Sequence, residues 1–150
     1  MMATTDLLQA DADALISLAK IKANDDHYDY PGTGGSVVVP LTSQDRREDF
    51  LLDIYRGRID LLKGTYQSRA RQVIVLVRID FGGAPHRNPD GIDVPCPHLH
   101  LYREGFGDKW AVPLPADKFP NIGDLWQTLE DFMQFCNVVD RPVIVRGLFT

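Results

Sequence analysis

The sequence predicts a single α+β domain over residues 1–150, with an N-terminal and a C-terminal helix packed on a curved antiparallel sheet of five or six strands. Apolar residues recur at helical spacing only near the two ends of the chain. Between them, strand-like runs follow one another through short, turn-rich connections. Consecutive strands with short connections usually pair as antiparallel neighbours, so we expect an antiparallel sheet.

The first predicted helix covers residues 6–22, where acidic residues near the beginning and lysines near the end complement the helix dipole. The segment NDDHYDYPGTGG, with one proline and three glycines, then forms a loop. A strand is predicted over Ser36–Leu41, in which Pro40 indicates a strand end or a sheet edge.

The next five segments complete the predicted sheet. DFLLDIYRG and RIDLLKGTYQSRA flank Gly57 at a short interval and predict a hairpin. RQVIVLVRIDF is nearly continuous in valine, isoleucine and leucine, which predicts a central strand. HLHLYRE and KWAVPLP are two further strands, separated by the turn GFGD.

The second predicted helix covers Asn121–Val139, where apolar side chains share one face and acidic side chains lie on the opposite face. Asn121 and Asp124 are both candidate N-caps. The tail RPVIVRGLFT is short and apolar, and we interpret it as a closing strand.

The composition indicates an ordinary soluble globular protein, with 44% hydrophobic and 25% charged residues. No apolar run approaches the roughly 20 residues that a membrane-spanning helix needs. The N-terminus has neither a basic leader nor a cleavage pattern. Two cysteines, Cys96 and Cys136, fit a reducing compartment. We therefore expect a cytoplasmic protein with no membrane partner.

The net charge of −5 hides an uneven distribution. Seven basic residues lie from Arg56 to Arg87, opposed only by Asp60 and Asp80, so this basic window has an excess of five positive charges. The net charge of the whole molecule would repel nucleic acid, whereas one face could still attract phosphate. Alternatively, these arginines only lie on the solvent-exposed faces of the strands and bind nothing.

Two of the four histidines lie one residue apart in the stretch PCPHLHLYREGFGDKWA. A strand period of two places His98, His100 and Tyr102 on one side and the intervening leucines on the core side. If the preceding strand pairs with this one, Arg78 and Asp80 share the same polar face. The sequence therefore predicts a polar site centred on the histidine pair.

The interpretation that we favour is acid–base cleavage of a phosphodiester in RNA. Histidine can act as the base for the 2′-hydroxyl or as the acid for the leaving oxygen, and arginine suits phosphate. The candidate catalytic residues are His98, His100, Asp80 and Tyr102, and the candidate phosphate-binding residues are Arg78, Arg87 and Lys63. Activity should then follow a bell-shaped pH profile with limbs near ~6.5 and should survive a chelator.

Small ribonuclease toxins of bacteria often use a curved sheet of this kind, which is an analogy at the level of the fold. The protein would then be the toxin of a toxin–antitoxin pair, with RNA as its substrate and a cognate antitoxin as its protein partner. The acidic net charge is unusual for an enzyme that cleaves RNA.

A metal site is the second interpretation. Two histidines at positions i and i+2 can share a metal, but a third ligand is needed. The fallback ligand set is His86, His98 and His100, and Cys96, Asp80 and Asp108 are further candidates for the third position. No CxxC or HExxH motif accompanies these residues, so we expect no metal and no other cofactor.

The third interpretation is a non-enzymatic interaction protein, whose histidine pair is a structural polar cluster on a sheet face. Buried polar groups usually find hydrogen-bond partners, and histidine is of intermediate burial in proteins. Such a protein would be an antitoxin, an inhibitor, or a phage or host-defence factor.

Four segments carry a resemblance to a known family: YRGRIDLLKGTYQ, VRIDFGGAPHRNPDG, PCPHLHLYREGFGDKWA and LWQTLEDFMQFCN. From about Tyr30 to its C-terminus, the chain resembles a family of small uncharacterised proteins of bacteria and mobile elements. The resemblance implies no established activity, so the chemistry has to be argued from the residues of this chain.

Overall fold

The computed structural model describes residues 6–147. In this part of the chain the helices are α1 (Gln9–Ser17) and α2 (Leu125–Phe135). The strands, in chain order, are β1 (Lys20–Lys22), β2 (His27–Asp29), β3 (Ser36–Ser43), β4 (Asp49–Arg56), β5 (Gly64–Ala70), β6 (Ile74–Phe81), β7 (His86–Arg87), β8 (Asp93–Val94), β9 (His98–Leu101), β10 (Ala111–Pro113), β11 (Val138–Asp140) and β12 (Val143–Val145). The predicted α+β class is confirmed.

Eight of these strands form one large sheet, in the order β10-β9-β6-β5-β4-β3-β1-β11. Neighbouring strands are antiparallel, except that β1 and β11 are parallel, so the sheet is mixed. The prediction of a purely antiparallel sheet of five or six strands is therefore wrong in both size and type. The other strands form two small ladders, β12 with β2 and β7 with β8.

The two additional strands β1 and β11 lie where the sequence predicts helix. α1 ends at Ser17 because Leu18 already has extended backbone angles, with φ −61° and ψ 132°. α2 ends at Phe135, and Asn137 then adopts a φ of +59°, the left-handed conformation that commonly terminates helices. The segments after the two helices are thereby released to pair with each other.

Lys20 connects the ends of both helices to the sheet. Its buried ammonium group donates hydrogen bonds to the carbonyl oxygens of Ile16, Leu18 and Cys136 at 2.8–2.9 Å. A cation near a helix C-terminus offsets the partial charges of the last carbonyl groups. Burial lowers the pKa of Lys20 to about 8.

Several element predictions are confirmed. β4 and β5 form the predicted hairpin, although residues 57–63 make a longer connection than the sequence suggests. β6 is a central strand, and Asp124 caps α2 by accepting a hydrogen bond from the Gln127 N–H at 3.0 Å. The predicted closing strand exists as β12, but it pairs with β2 outside the large sheet, and residues 148–150 lie outside the described residues.

One face of the large sheet is buried beneath both helices. Tyr66, Ile79 and Leu99 belong to a single hydrophobic cluster that includes residues of α1 and α2. The Tyr66 ring centroid lies 6.2 Å from that of Phe132, and its hydroxyl donates to the Leu125 carbonyl at 2.8 Å. Side chains at the alternate strand positions lie on the opposite, polar face, which carries the candidate site.

Candidate functional site

The polar face of the sheet brings four predicted site residues together. β6 pairs with β9 so that Asp80 lies opposite His98 and Arg78 lies opposite His100. On the other side of β6, Thr65 of β5 lies opposite Asp80. Because side chains alternate along each strand, these five residues occupy one surface, as the sequence predicts for the four that it names.

Asp80 lies at the centre of this group. Its Oδ1 accepts a hydrogen bond from the Thr65 hydroxyl at 2.7 Å. Its Oδ2 lies 3.3 Å from His98 Nε2 and 3.2 Å from His100 Nε2. Burial by itself would raise the pKa of this carboxyl group, but contacts with His100, Thr65 and Arg78 hold the pKa well below its usual range. Asp80 is therefore ionised.

The Arg78 guanidinium lies between two carboxylates. Its Nε donates to Asp80 Oδ2 at 3.1 Å, and its Nη1 donates to Asp108 Oδ2 at 2.6 Å. Its Nη2 lies 3.1 Å from His100 Nε2. Each guanidinium nitrogen thus has a partner within the protein. Arg78 positions the other side chains, and its predicted contact with phosphate stays a prediction.

His100 is fully buried, and its contacts define its tautomer. Its Nδ1 lies 2.7 Å from the backbone carbonyl oxygen of Asp108. A carbonyl oxygen can only accept a hydrogen bond, so Nδ1 carries the proton. In the neutral ring, Nε2 then carries the lone pair, which lies 3.1 Å from Arg78 Nη2 and 3.2 Å from Asp80 Oδ2.

His98 lies against an open cavity of about 220 Å³, although its side chain is only 3% exposed. Its Nδ1 lies 3.5 Å from the Cys96 sulfur, and the ring hydrogen-bonds the Pro95 carbonyl. Burial lowers the pKa of His98, and the neighbouring Asp80 offsets this only in part. The His98 ring is therefore neutral at physiological pH.

The cavity has the polar face as its floor and two loops as its walls. His86, after β6, donates a hydrogen bond from Nε2 to the Lys109 carbonyl at 2.7 Å. Its ring centroid lies 4.6 Å from that of His100 and 5.8 Å from that of His98. Lys63, from the connection between β4 and β5, is the one lysine or arginine among the described residues that line the cavity.

Glycine at position 82 allows the two loops to approach each other. Gly82 has a φ of +69°, and a Cβ there would lie 2.7 Å from the Leu62 carbonyl oxygen and from the Lys63 Cα. Any other residue would strain the backbone and displace the connection between β4 and β5. Gly82 therefore helps to hold Lys63 at the cavity.

Three side chains of the site could together hold a metal ion. A carboxylate oxygen of Asp80 and ring nitrogens of His98 and His100 all lie within 4.8 Å of one another. Among the described residues, His86 lies outside this group, whose third member is Asp80, a further candidate from the sequence. The fallback ligand set of His86, His98 and His100 stays a prediction.

A protein-family model matches residues 7–138 of the chain. The chain belongs to DUF6978, a family of unknown function. This confirms the resemblance to an uncharacterised family, and an origin in bacteria or mobile elements stays a prediction. No curated protein and no solved structure matches the chain. Between residues 6 and 147, neither helix has the length and apolar character needed to span a membrane.

Two residues of the site in this DUF6978 member were not predicted. Asn88 exchanges two hydrogen bonds with the backbone of Ala111, at 2.9 and 2.8 Å, and so attaches the loop after β6 to β10 beside His100. Its context, HRNPDG, indicates only a turn. Thr65 binds Asp80, but the hairpin register that pairs them is not readable from the sequence.

Tyr102 does not belong to the site. β9 ends at Leu101, so the alternation of faces does not continue to this residue. The Tyr102 hydroxyl accepts a hydrogen bond from the Leu7 N–H at 2.6 Å and donates to the Leu7 carbonyl at 2.9 Å. The expectation that Tyr102 shares the histidine face is wrong, because its hydroxyl anchors the segment before α1, and a catalytic role for Tyr102 stays a prediction.

The other predicted phosphate-binding arginine is also engaged elsewhere. Arg87 pairs with Asp93 at 2.8 Å on the exposed surface and does not line the cavity. Arg69 of the same basic window binds both carboxylate oxygens of Asp53, at 2.6 and 2.8 Å. Carboxylates from other parts of the chain thus neutralise much of the local positive charge, and Lys63 is the predicted cation that remains at the cavity.

Proposed function

We propose that this DUF6978 protein is a phosphodiester-directed, ribonuclease-like enzyme. One observation carries the proposal: a cavity has Asp80 and His98 at its floor and Lys63 and His86 on its walls. Carboxylate and imidazole groups can activate an attacking oxygen, and a cation can balance the charge that develops on a phosphate. A larger groove of about 470 Å³ beside α1 has no histidine among its lining residues.

The proposed roles follow from these positions. The 2′-hydroxyl gives its proton to His98 at the floor, beside Asp80, and its oxygen bonds to phosphorus as the bond to the 5′-oxygen breaks. The 5′-oxygen takes the proton from His98, while the Lys63 ammonium group binds the phosphate. His100 and Arg78 hold the floor residues in place, because both are engaged in contacts within the protein. A cavity of about 220 Å³ admits one phosphate with its sugar, which favours single-stranded RNA, whose nucleotides can be splayed out, over a duplex.

In this proposal the protein acts as the toxin of a toxin–antitoxin pair. Expression in bacteria tests this with the wild type, Asp80→Asn, and His98→Ala combined with His100→Ala. His27→Ala is the matched control, because His27 is exposed on β2. We expect growth arrest with loss of RNA for the wild type and the control, and normal growth for the site variants at equal levels of folded protein. Arrest that persists in Asp80→Asn and in the double variant would rule out the enzyme.

One observation favours the alternative, a non-enzymatic protein that binds a protein partner. Ile59, Leu61 and Leu62 are 93%, 62% and 55% exposed in the connection beside the cavity. Contiguous exposed apolar side chains often mark a protein interface. Growth effects that ignore the histidine variants but disappear in Ile59→Ser with Leu61→Ser would support this class.

A further inference from the structure

We propose that Asp80, His98 and His100 bind one divalent zinc ion, through Asp80 Oδ2 and the two Nε2 atoms, with a further position open to the cavity. The sequence argues against a metal because cysteine and histidine ligands at suitable spacing are too few. The structure supplies the third donor from β6, which pairs with the histidine strand β9 in the sheet.

Two of the three separations between the donor atoms fit a metal coordination shell, and all three atoms lie within 4.8 Å of one another. Asp80 Oδ2 lies 3.3 Å from His98 Nε2 and 3.2 Å from His100 Nε2. In a tetrahedral zinc site with bonds of about 2.0–2.2 Å, neighbouring donor atoms lie about 3.3–3.6 Å apart. A charge-assisted hydrogen bond between nitrogen and a carboxylate is usually shorter, at about 2.7–2.9 Å. Both contacts therefore match the edge of a coordination tetrahedron better than a hydrogen bond.

The positions of the ring protons give a second argument. Nδ1 of His100 is protonated because it binds a backbone carbonyl. Nδ1 of His98 lies 3.5 Å from the Cys96 sulfur, and the ring also hydrogen-bonds the Pro95 carbonyl, so a proton on this Nδ1 has acceptors away from Asp80. With both Nδ1 atoms protonated, each Nε2 lone pair lies near Asp80 Oδ2, and that of His100 also lies near Arg78 Nη2. Metal-binding histidines typically use the other ring N–H in this way, as a donor to a supporting group.

The Arg78 guanidinium supplies part of the positive charge that faces these three donor atoms. Its Nη2 and Nε each lie 3.1 Å from one of them, namely His100 Nε2 and Asp80 Oδ2. Its shortest contact, at 2.6 Å, is with Asp108 and lies outside the donor set. Zinc would displace Nη2 from His100, while Arg78 keeps Asp108. Two carboxylates are then available to balance the zinc ion and the guanidinium.

The remaining coordination position faces the cavity, because Asp80 and His98 both line it. Two histidines and one carboxylate with an open position form the donor set of hydrolytic zinc enzymes. A phosphate oxygen held by Lys63 could reach an ion at this place. Zinc binding rests on the geometry alone, whereas a catalytic role for the ion rests on the proposed function.

Calorimetric titration of the full chain with Zn²⁺, after treatment with a chelator and dialysis, tests the proposal. We expect one ion per chain. Asp80→Asn replaces the anionic donor by a neutral amide and His98→Gln removes the imidazole, both with little change in size, and each should weaken binding by more than the roughly 10–100-fold that loss of a supporting group costs. His86→Ala and His27→Ala should keep the wild-type affinity.

Circular dichroism identifies variants that do not fold, and Co²⁺ provides a second readout. Visible absorption typical of tetrahedral Co²⁺ is expected in the wild type and in His86→Ala, but not in folded Asp80→Asn. Equal binding by the wild type and Asp80→Asn, or no binding by the wild type, overturns the proposal. Loss of binding in His86→Ala with retention in Asp80→Asn overturns the ligand set.

Assays with single-stranded RNA separate this proposal from the proposed function. A protein that binds zinc at these residues and leaves the RNA intact would contradict the ribonuclease alone. Cleavage that continues in EDTA, by protein that binds no zinc, would overturn the metal site and support the acid–base mechanism that the sequence favours.

Discussion

Three side chains contact a single carboxylate oxygen, Asp80 Oδ2, from two neighbouring strands: Arg78, His98 and His100. Their meeting is predictable from the sequence, because residues two apart on a strand share a face. The position of Tyr102 outside this face is not predictable in this way, because β9 ends before the turn formed by residues 103–107. The alternation identifies a face but does not show where the strand stops.

Tyr102→Phe distinguishes an anchoring role from a catalytic one. The variant loses the two hydrogen bonds to Leu7, so we expect the free energy of unfolding to fall by about 1–2 kcal/mol. RNA cleavage per folded molecule should stay unchanged. Urea unfolding and hydrogen exchange at the Leu7 amide measure the first effect. A large loss of cleavage by folded protein, with normal stability, would return Tyr102 to the site.

At the scale of elements, the long strands follow their sequence patterns and the short ones do not. β4, β5 and β6 alternate between the core face and the polar face over seven or eight residues each. β1 and β11 have three residues each, and Lys20 pairs with Val138 across most of the chain. So short a strand has no periodicity of its own, and its formation depends on a distant partner. The helical pattern in the sequence therefore continues into both segments, although they form strands.

The junction at Lys20 should make stability depend on pH. The pKa of Lys20 is about 8 in the folded protein and near 10.5 in the unfolded chain, so the unfolded chain binds more protons between these values. The contribution of Lys20 to the free energy of unfolding should therefore rise as the pH increases from about 8 to 10.5. Urea unfolding of the wild type and Lys20→Met across this range measures the difference, and a difference that is constant or falls with pH would contradict it.

Asn88 should stabilise the loop that forms one wall of the cavity. Asn88→Ala removes both hydrogen bonds to Ala111, so we expect a loss of about 1–3 kcal/mol in the free energy of unfolding and faster hydrogen exchange over residues 84–97. Asn24→Ala is the control, because Asn24 is exposed and follows β1, which lies near the opposite end of the large sheet from β10. Unchanged exchange over residues 84–97 in Asn88→Ala would show that other contacts hold this loop.

Across the whole molecule, the basic window is less positive than its sequence suggests. Arg69 and Arg78 pair with Asp53 and Asp108, which lie outside the window. These pairs form only when the chain folds, so the charge count along the sequence could not predict them. Lys63 remains at the cavity, and a protein of this kind should bind RNA through few phosphate contacts.

The salt dependence of RNA binding tests this charge distribution. Counterion release contributes a slope of about −0.7 per phosphate contact on a single strand. With one or two contacts, the slope of log K against log salt should lie between about −0.7 and −1.4. Fluorescence anisotropy of a labelled strand, in the Asp80→Asn background, measures it. Lys63→Gln should flatten the slope and Arg87→Gln should not, whereas a slope steeper than about −3 would contradict the assignment.

The most direct test of the site is cleavage of end-labelled single-stranded RNA by purified, zinc-equilibrated protein. The comparison uses the wild type, Asp80→Asn and the control His27→Ala at equal concentrations of folded chain. We predict cleavage by the wild type and the control, and a rate at least about 100-fold lower for Asp80→Asn. Equal rates for the wild type and Asp80→Asn would contradict the assignment of the site.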